Sequence, residues 1–92
     1  MQNDKENLAI IKTLSNPKRL AILRLLFRVK DHLCVNEIAF EVGISQSLAS
    51  HQLAYLESRG LVSSHRVGKT MCYILEKNKS VEKLEKIINI IK

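Results

Sequence analysis

The chain has 92 residues, a formal net charge of +6 at pH 7 and 46% hydrophobic residues, which predicts a single domain with a modest core. No apolar run approaches the roughly 18 residues of a membrane span, and the start of the chain lacks a signal-peptide core, so we expect a soluble cytoplasmic protein. The positive charge favours a polyanionic partner, although it is also compatible with an anionic membrane surface or an acidic protein.

Apolar spacing predicts two helices in the first third of the chain. The first covers residues 5–14, and the second begins at Pro17, because Asn16 can cap it and proline suits the first helical position. Lys18 and Arg19, near the start of the second helix, are candidates for phosphate contacts. The residues of this helix predicted to face the core are Leu20, Leu23, Leu26 and Phe27.

Residues 35–59 have the spacing of a helix-turn-helix. A short apolar stripe ends at Gly43, which tolerates the left-handed backbone that closes a helix, and Ser45 can cap the next helix. One side of that second helix is predicted to be buried and the other is small and polar, which suits a major groove. The alternative is an ordinary amphipathic helix pair whose polar face is only solvated. The residues predicted to face the core are Ala49, Gln52, Leu53 and Leu56. The residues predicted to contact base edges are Gln46, Ser47, Ser50 and His51.

Residues 61–76 are predicted to form strand, tight turn and strand, which together make a β-hairpin wing. Gly68 supplies the positive φ that the turn needs. Arg66 and Lys69 lie near the tip and are predicted to contact phosphate or a minor groove. The alternative is a basic hairpin that is solvated and contacts no partner.

The last predicted helix, residues 80–92, carries a wide apolar stripe. The wing and helical core cannot easily cover both this stripe and that of the first helix, so packing across a two-fold axis is expected. The alternative is a last helix that folds back onto its own protomer. The residues predicted at the dimer interface are Leu8, Ile11, Leu84, Ile87, Ile88 and Ile91.

The predicted fold class is therefore mainly α with a β-hairpin wing, a winged helix-turn-helix of about five helices and two strands. It fills one domain, 1–92, with dimerisation helices at 1–14 and 80–92.

Three segments of the chain resemble the ArsR/SmtB family of bacterial winged-helix repressors: TLSNPKRLAILRLL, LCVNEIAFEVGISQSLASHQLAYLESRGLV and RVGKTMCYIL. The resemblance spans nearly the whole chain and depends on the combination of these segments. It implies a homodimer built from the first and last helices, bound to an imperfect palindrome near its own promoter and released by a signal. It also implies that Arg66 and Lys69 belong to the wing. The residues that the resemblance implies read DNA are Gln46, Ser47, Ser50 and His51.

The usual metal-sensing motifs of that family are incomplete here. Its metal sensors often carry LCVC, whereas residues 33–36 read LCVN, and residues 80–92 contain no His, Asp or Cys for the family's other common site. A soft metal needs two or three thiolates, and a carboxamide oxygen is a poor substitute. We therefore predict no metal ligands and no cofactor.

Two alternative sensor sites are left by the sequence, one for a metal and one for a redox signal. Asp31, His32 and Cys34 offer metal donors, but three ligands within four residues need a specific loop conformation and usually a fourth donor. Cys34 and Cys72 offer a redox pair, which requires proximity and a depressed thiolate pKa. Because the two cysteines are far apart in a chain without an export signal, reduced thiols are expected rather than a structural disulfide. His65 is assigned to the surface of the wing.

The sequence thus predicts a homodimeric, sequence-specific DNA-binding regulator, most simply a repressor on a palindromic operator. The first alternative to this function is a protein-interaction module that keeps the winged-helix core without specific DNA binding. A steep salt dependence of DNA binding would favour the regulator over this module. An enzyme is not supported, because no nucleophile lies beside a plausible base and orienting group and no glycine-rich phosphate cradle is present.

Overall fold

A computed structural model describes residues 2–91, with side chains from residue 4 onward. It contains five helices and three strands in this part of the chain. Their order is α1 (Gln2–Leu14), α2 (Pro17–Val29), β1 (Leu33–Cys34), α3 (Val35–Val42), α4 (Gln46–Ser58), β2 (Val62–Val67), β3 (Thr70–Leu75) and α5 (Lys79–Ile91). None of these helices is both long and apolar enough to cross a membrane.

The helix boundaries follow the predicted capping residues. The Asn16 side-chain oxygen accepts a hydrogen bond from the Arg19 backbone N–H at 3.0 Å, and α2 begins at the next residue, a proline. The Ser45 hydroxyl oxygen accepts one from the Leu48 N–H, also at 3.0 Å, at the start of α4. Gly43 ends α3 with φ of +79°, which a side-chain-bearing residue adopts only with strain.

The strands form one antiparallel sheet in the order β1-β3-β2. The hairpin of β2 and β3 is the predicted wing, and Gly68 in its two-residue loop has the expected positive φ, +63°. The prediction of two strands was wrong by one. β1 has only two residues, too few for an alternating pattern to reveal it, and it forms because its backbone pairs with β3.

The core lies between the helices and one face of the sheet. Three of the four core residues predicted for α2 are buried, and the fourth, Leu20, is half-buried. Every buried side-chain nitrogen or oxygen among the described side chains has a hydrogen-bond partner. The large side chains with almost no exposure are Ile22, Leu23, Leu26, Ile38, Leu53, Leu56, Val62 and Leu84.

The last helix packs against its own protomer along one edge of its apolar stripe. Leu84 and Ile88, which the sequence assigned to a dimer interface, are buried in the protomer's own core, so that assignment is wrong for these two residues. The reason is the width of the stripe: positions 81, 84 and 88 turn inward. Of the remaining predicted interface residues, Ile87 is half-buried, and Leu8, Ile11 and Ile91 are exposed.

Arg19 is buried, which excludes the predicted phosphate contact. Its Nε donates a hydrogen bond to the Thr13 carbonyl at 2.8 Å, Nη2 donates to the Lys12 carbonyl at 2.8 Å, and Nη1 donates to Gln52 Oε1 at 3.1 Å. The two carbonyls belong to the last turn of α1, where a helix leaves its acceptors unpaired. One guanidinium therefore connects α1 and α2 to the buried side of α4.

Tyr55 of α4 completes this connection. The Arg19 guanidinium carbon lies 4.0 Å from the centre of the Tyr55 ring, and that of Arg59 lies 5.1 Å away. Burial raises the pKa of Tyr55, but hydrogen bonds to Thr13 and Arg59 and the two positive charges outweigh it, so its pKa is lowered from the usual value. The ring therefore contacts two cations at the C-terminal half of the helix.

Candidate nucleic-acid interface

Helices α3 and α4 form the helix-turn-helix, and α4 presents one buried and one exposed side. The four residues predicted to face the core are all buried, which confirms the predicted orientation of the helix. The opposite face is exposed and consists of small or polar side chains. It carries Ser47, Ser50, His51, Ala54 and Ser58.

A cleft of about 440 Å³ lies between the N-terminal end of α4 and the wing. Gln46 and Ser50 line it from α4, and Arg66 and Lys69 line it from the wing. Four of the six residues predicted to bind DNA therefore share one cleft. Ser47 and His51 lie outside its lining, on the exposed face of α4. The remaining lining residues are Val35, Asn36, Thr70, Met71 and Tyr73.

The chemistry of this cleft suits an anionic, hydrogen-bonding partner. Amide and hydroxyl side chains at the start of α4 can donate to and accept from base edges, and the two wing cations can pair with phosphate. The N-terminus of α4 adds partial positive charge from unpaired backbone N–H groups. Burial raises the pKa of Tyr73, and the charge of Glu57 raises it further, so its hydroxyl keeps its proton at neutral pH.

Sequence reasoning missed Asn36 and Thr70 in this cleft. Asn36 is the second residue of α3, a helix recognised only by its core-facing stripe, and Thr70 is the first residue of β3. Neither residue has a local signal of its own. Both residues line the cleft because the sheet places the wing next to the helix-turn-helix.

A second group of reactive side chains lies where the three strands meet. Cys34 and Cys72 are opposite each other on β1 and β3 and form a disulfide, with their Cα atoms 3.7 Å apart. The expectation of two reduced, separate thiols is wrong for this structure, because strand pairing joins residues 38 positions apart in sequence. On β2, His65 is opposite Cys72 and half-buried rather than fully on the surface. Its ring centre lies 4.5 Å from that of His32.

The metal cluster considered for residues 31–34 is not formed. Asp31 Oδ1 accepts a hydrogen bond from the His32 backbone N–H at 2.7 Å, and the Cys34 sulfur is bonded to Cys72. With the disulfide in place, residues 2–91 contain no group of three or more His, Cys, Asp or Glu side chains arranged to hold a metal ion.

The helix-turn-helix, the hairpin wing and the polar, basic cleft between them define a winged-helix domain. The family model described as "bacterial regulatory protein, arsR family" matches residues 16–64, from the start of the second helix into the wing. The chain belongs to the ArsR family of bacterial regulatory proteins. This is a family of transcriptional regulators and not of enzymes.

Individual relatives agree with this membership. The nodulation protein NolR of Rhizobium meliloti is 41% identical over 63 residues, which cover 68% of this chain and 50% of NolR. The transcriptional repressor SmtB homolog of Synechocystis is 40% identical over 65 residues, covering 71% of this chain and 48% of that protein. The chain thus spans about half the length of these relatives. Reduced HlyU from Vibrio cholerae has a similar structure, with a TM-score of 0.81 at 28% identity over 97% of this chain and 92% of HlyU.

Proposed function

We propose that this chain acts in the cytoplasm as a homodimeric repressor that binds a palindromic operator in duplex DNA. The observation that carries the proposal is the cleft in which Gln46 and Ser50 of α4 face Arg66 and Lys69 of the wing. The names of its relatives, among them a transcriptional repressor, support the same function. Repression follows if the bound dimer occludes RNA polymerase.

The proposed docking places the N-terminal end of α4 in a major groove. Small side chains at Ser47 and Ser50 let the helix approach closely, while Gln46 and His51 reach base edges. The wing cations contact phosphates along the neighbouring backbone. Two copies related by a two-fold axis would present their α4 helices to successive major grooves, about 34–36 Å apart.

Exposed apolar residues on α1 and α5 support dimerisation. Leu8 and Ile11 of α1 are 65% and 63% exposed, and Ile90 of α5 is 80% exposed. The two helices are neighbours, because Lys83 Nζ donates a hydrogen bond to Asn7 Oδ1 at 3.1 Å. A second copy is the partner that covers such residues on both helices at once. The proposed interface is therefore Leu8, Ile11, Ile87, Ile90 and Ile91, without the two residues buried in the protomer.

Substituting Leu8→Glu together with Ile11→Glu is expected to convert the dimer to a monomer, because two carboxylates would have to be desolvated at the interface. Sedimentation equilibrium at micromolar concentration measures the mass directly. The matched control is Phe40→Glu, since Phe40 is an apolar residue of α3 with 84% exposure outside the proposed interface. A wild-type chain that sediments as a monomer contradicts the dimer.

The operator proposal is tested by footprinting the DNA upstream of the chain's own gene. We expect protection of two related half-sites whose centres are about one helical turn, or about 10 bp, apart. The protein-interaction module predicts no protected site on any fragment. Protection without two-fold sequence symmetry would reject the palindrome while keeping DNA binding.

His51→Ala is expected to weaken binding to the operator by about 1–3 kcal/mol, because an exposed imidazole on the recognition face can bond to one base edge. The comparison that isolates this role is the ratio of operator to random-duplex affinity, measured by fluorescence anisotropy. Ser58→Ala, on the same exposed face at the C-terminal end of α4, serves as the control and should leave the ratio unchanged. An unaltered ratio for His51→Ala excludes base reading by this residue.

Lys69→Ala is expected to weaken binding to all duplexes alike, because a cation at the tip of the wing contacts phosphate and carries no sequence information. The slope of log K against log salt should become shallower by about 0.9, the contribution of one phosphate contact. Affinity loss confined to one sequence would contradict the phosphate role.

For the signal, we propose a redox change of Cys34 and Cys72. Cytosolic disulfides are rare and are usually catalytic or redox-sensing, so a disulfide in a DNA-binding protein favours a sensor. Cys34 immediately precedes α3, and Cys72 lies on the strand that continues from the wing tip, so the bond joins the helix-turn-helix to the wing. Operator affinity should then differ between the oxidised and reduced protein, and Cys72→Ser should abolish the difference. Equal affinities in both states would reject the switch.

A further inference from the structure

We propose that the reduced protein binds one Zn²⁺ ion through the side chains of His32, Cys34, His65 and Cys72. This inference goes beyond the proposed function by assigning a ligand to the reduced state. Its regulatory meaning rests on that function, whereas the existence of the site does not.

The register of the sheet brings the four side chains together. Cys34 on β1 is opposite Cys72 on β3, and Cys72 is opposite His65 on β2, so the three residues form one row across the sheet. Side chains directly opposite each other in an antiparallel sheet point to the same face, with Cβ atoms about 4.5–5.5 Å apart. His32 lies immediately before β1, and its position beside this row is given by a ring contact. Its ring contacts that of His65, with centres 4.5 Å apart.

The donor set is the one that zinc prefers. Two thiolates and two imidazoles make a tetrahedral S₂N₂ site, and zinc lies about 2.3 Å from sulfur and about 2.0–2.1 Å from nitrogen in such sites. The neighbouring donors of a tetrahedron of this size are less than about 4 Å apart, so binding requires the four side chains to close around the ion. Hard cations such as Mg²⁺ prefer oxygen donors, which this group lacks.

Disulfide and metal are mutually exclusive at this site. Reduction adds two electrons and two protons to the Cys34–Cys72 bond and gives two thiols, while a dithiol reductant is converted to its own disulfide. Zn²⁺ then displaces the two thiol protons and bonds to both sulfurs. Oxidation of the thiolates by a peroxide or a disulfide re-forms the S–S bond and releases the ion.

Zinc at this position would connect the same segments as the disulfide. His32 and Cys34 belong to the connection between α2 and α3, and His65 and Cys72 belong to the wing. The reduced, zinc-bound protein would therefore keep the wing fixed to the helix-turn-helix, whereas the reduced, zinc-free protein would lose both links. Metal binding and the redox state of the thiols would then act on the same three strands.

The test is a titration of the reduced protein with Co²⁺, a spectroscopic substitute for Zn²⁺, under anaerobic conditions. We expect intense visible d–d bands of tetrahedral cobalt and a near-ultraviolet thiolate-to-cobalt charge-transfer band, saturating at a single ion per chain. Added Zn²⁺ should displace the cobalt and bleach both bands. The oxidised protein, which retains its disulfide, should give neither band.

Single substitutions identify the ligands. His32→Ala and His65→Ala should each weaken cobalt binding by at least about 100-fold, more than is typical for loss of a residue that only supports a ligand. His32 is exposed, so its replacement leaves the core intact. The matched control is His51→Ala, which removes the chain's third histidine from the recognition face. It should leave both absorption bands and the affinity for cobalt unchanged. Absence of tetrahedral bands in the folded, reduced wild type, or bands unaffected by both histidine substitutions, overturns the proposal.

Binding to duplex DNA is measured on the same samples to separate the two proposals. Cobalt binding without any DNA affinity would reject the proposed function and keep the metal site. Operator binding by a reduced protein that gives no cobalt bands would reject the metal site and keep the function.

Discussion

Arg19→Ala is expected to lower the free energy of unfolding by about 2–4 kcal/mol, one of the two largest effects among the changes considered. The guanidinium donates to two α1 carbonyls and to Gln52, and its loss leaves the Thr13 carbonyl and Gln52 Oε1 without this donor in a buried site. The Lys12 carbonyl still accepts hydrogen bonds from the backbone N–H and hydroxyl of Ser15. Each buried acceptor that loses its partner costs about 1–3 kcal/mol, although water entering the vacated space recovers part of that. Urea unfolding followed by circular dichroism measures the difference.

Two further substitutions, one at the same position and one at the adjacent residue, test whether the guanidinium causes the loss of stability. Arg19→Lys should recover less than half of the loss, because a single ammonium cannot reproduce the planar fork or its stacking on Tyr55. Lys18→Ala removes a cation from an exposed position and should change stability by less than about 0.5 kcal/mol. An Arg19→Ala protein as stable as Lys18→Ala would show that this connection between α1, α2 and α4 does not support the fold.

Reduction of the Cys34–Cys72 bond is expected to lower the free energy of unfolding by about 2–4 kcal/mol. The bond closes a loop between residues 38 positions apart in sequence, and loops of this size restrict the unfolded chain by about 4 kcal/mol in the chain-entropy estimate. Measured values for disulfides are commonly somewhat smaller. Urea unfolding with and without a reductant, in the presence of a chelator so that zinc does not bind the thiols, measures the effect.

The control is the double substitution Cys34→Ser and Cys72→Ser, which cannot form the bond. Its unfolding midpoint should be independent of reductant and close to that of the reduced wild type. A stabilising disulfide is contradicted by identical unfolding midpoints for the oxidised and reduced wild type, or by two free thiols per chain in protein that has been exposed to oxidant.

The helix-turn-helix could be predicted from the sequence because its signals are local. Gly43 and Ser45 act through their own backbone and side chain within a few residues, so the end of α3 and the start of α4 follow directly from them. The buried side of α4 likewise follows from helical periodicity. The cleft residues Gln46 and Ser50 could be proposed for the same reason, since they lie on the exposed side of a helix whose orientation was known.

What could not be predicted depends on contacts between distant segments. Arg19 looks like any cation near a helix start, and only the approach of α1 and α4 turns it inward. Cys34 and Cys72 are far apart in sequence and are brought together only by the pairing of β1 with β3. β1 is too short to show an alternating pattern of apolar and polar residues. The apolar stripe of α5 predicted that this helix packs on a partner, but it did not reveal that Leu84 and Ile88 are buried in the protomer's own core.

In the proposed function, two copies of this chain bind duplex DNA through α4 and the wing. The most direct test is fluorescence anisotropy with a duplex from upstream of its own gene and a random duplex of equal length, over a range of salt concentrations. The upstream duplex should bind more tightly at every salt concentration, and log K should fall by about 0.9 per phosphate contact for each unit of log salt. Equal affinity for both duplexes with a flat salt response would contradict it.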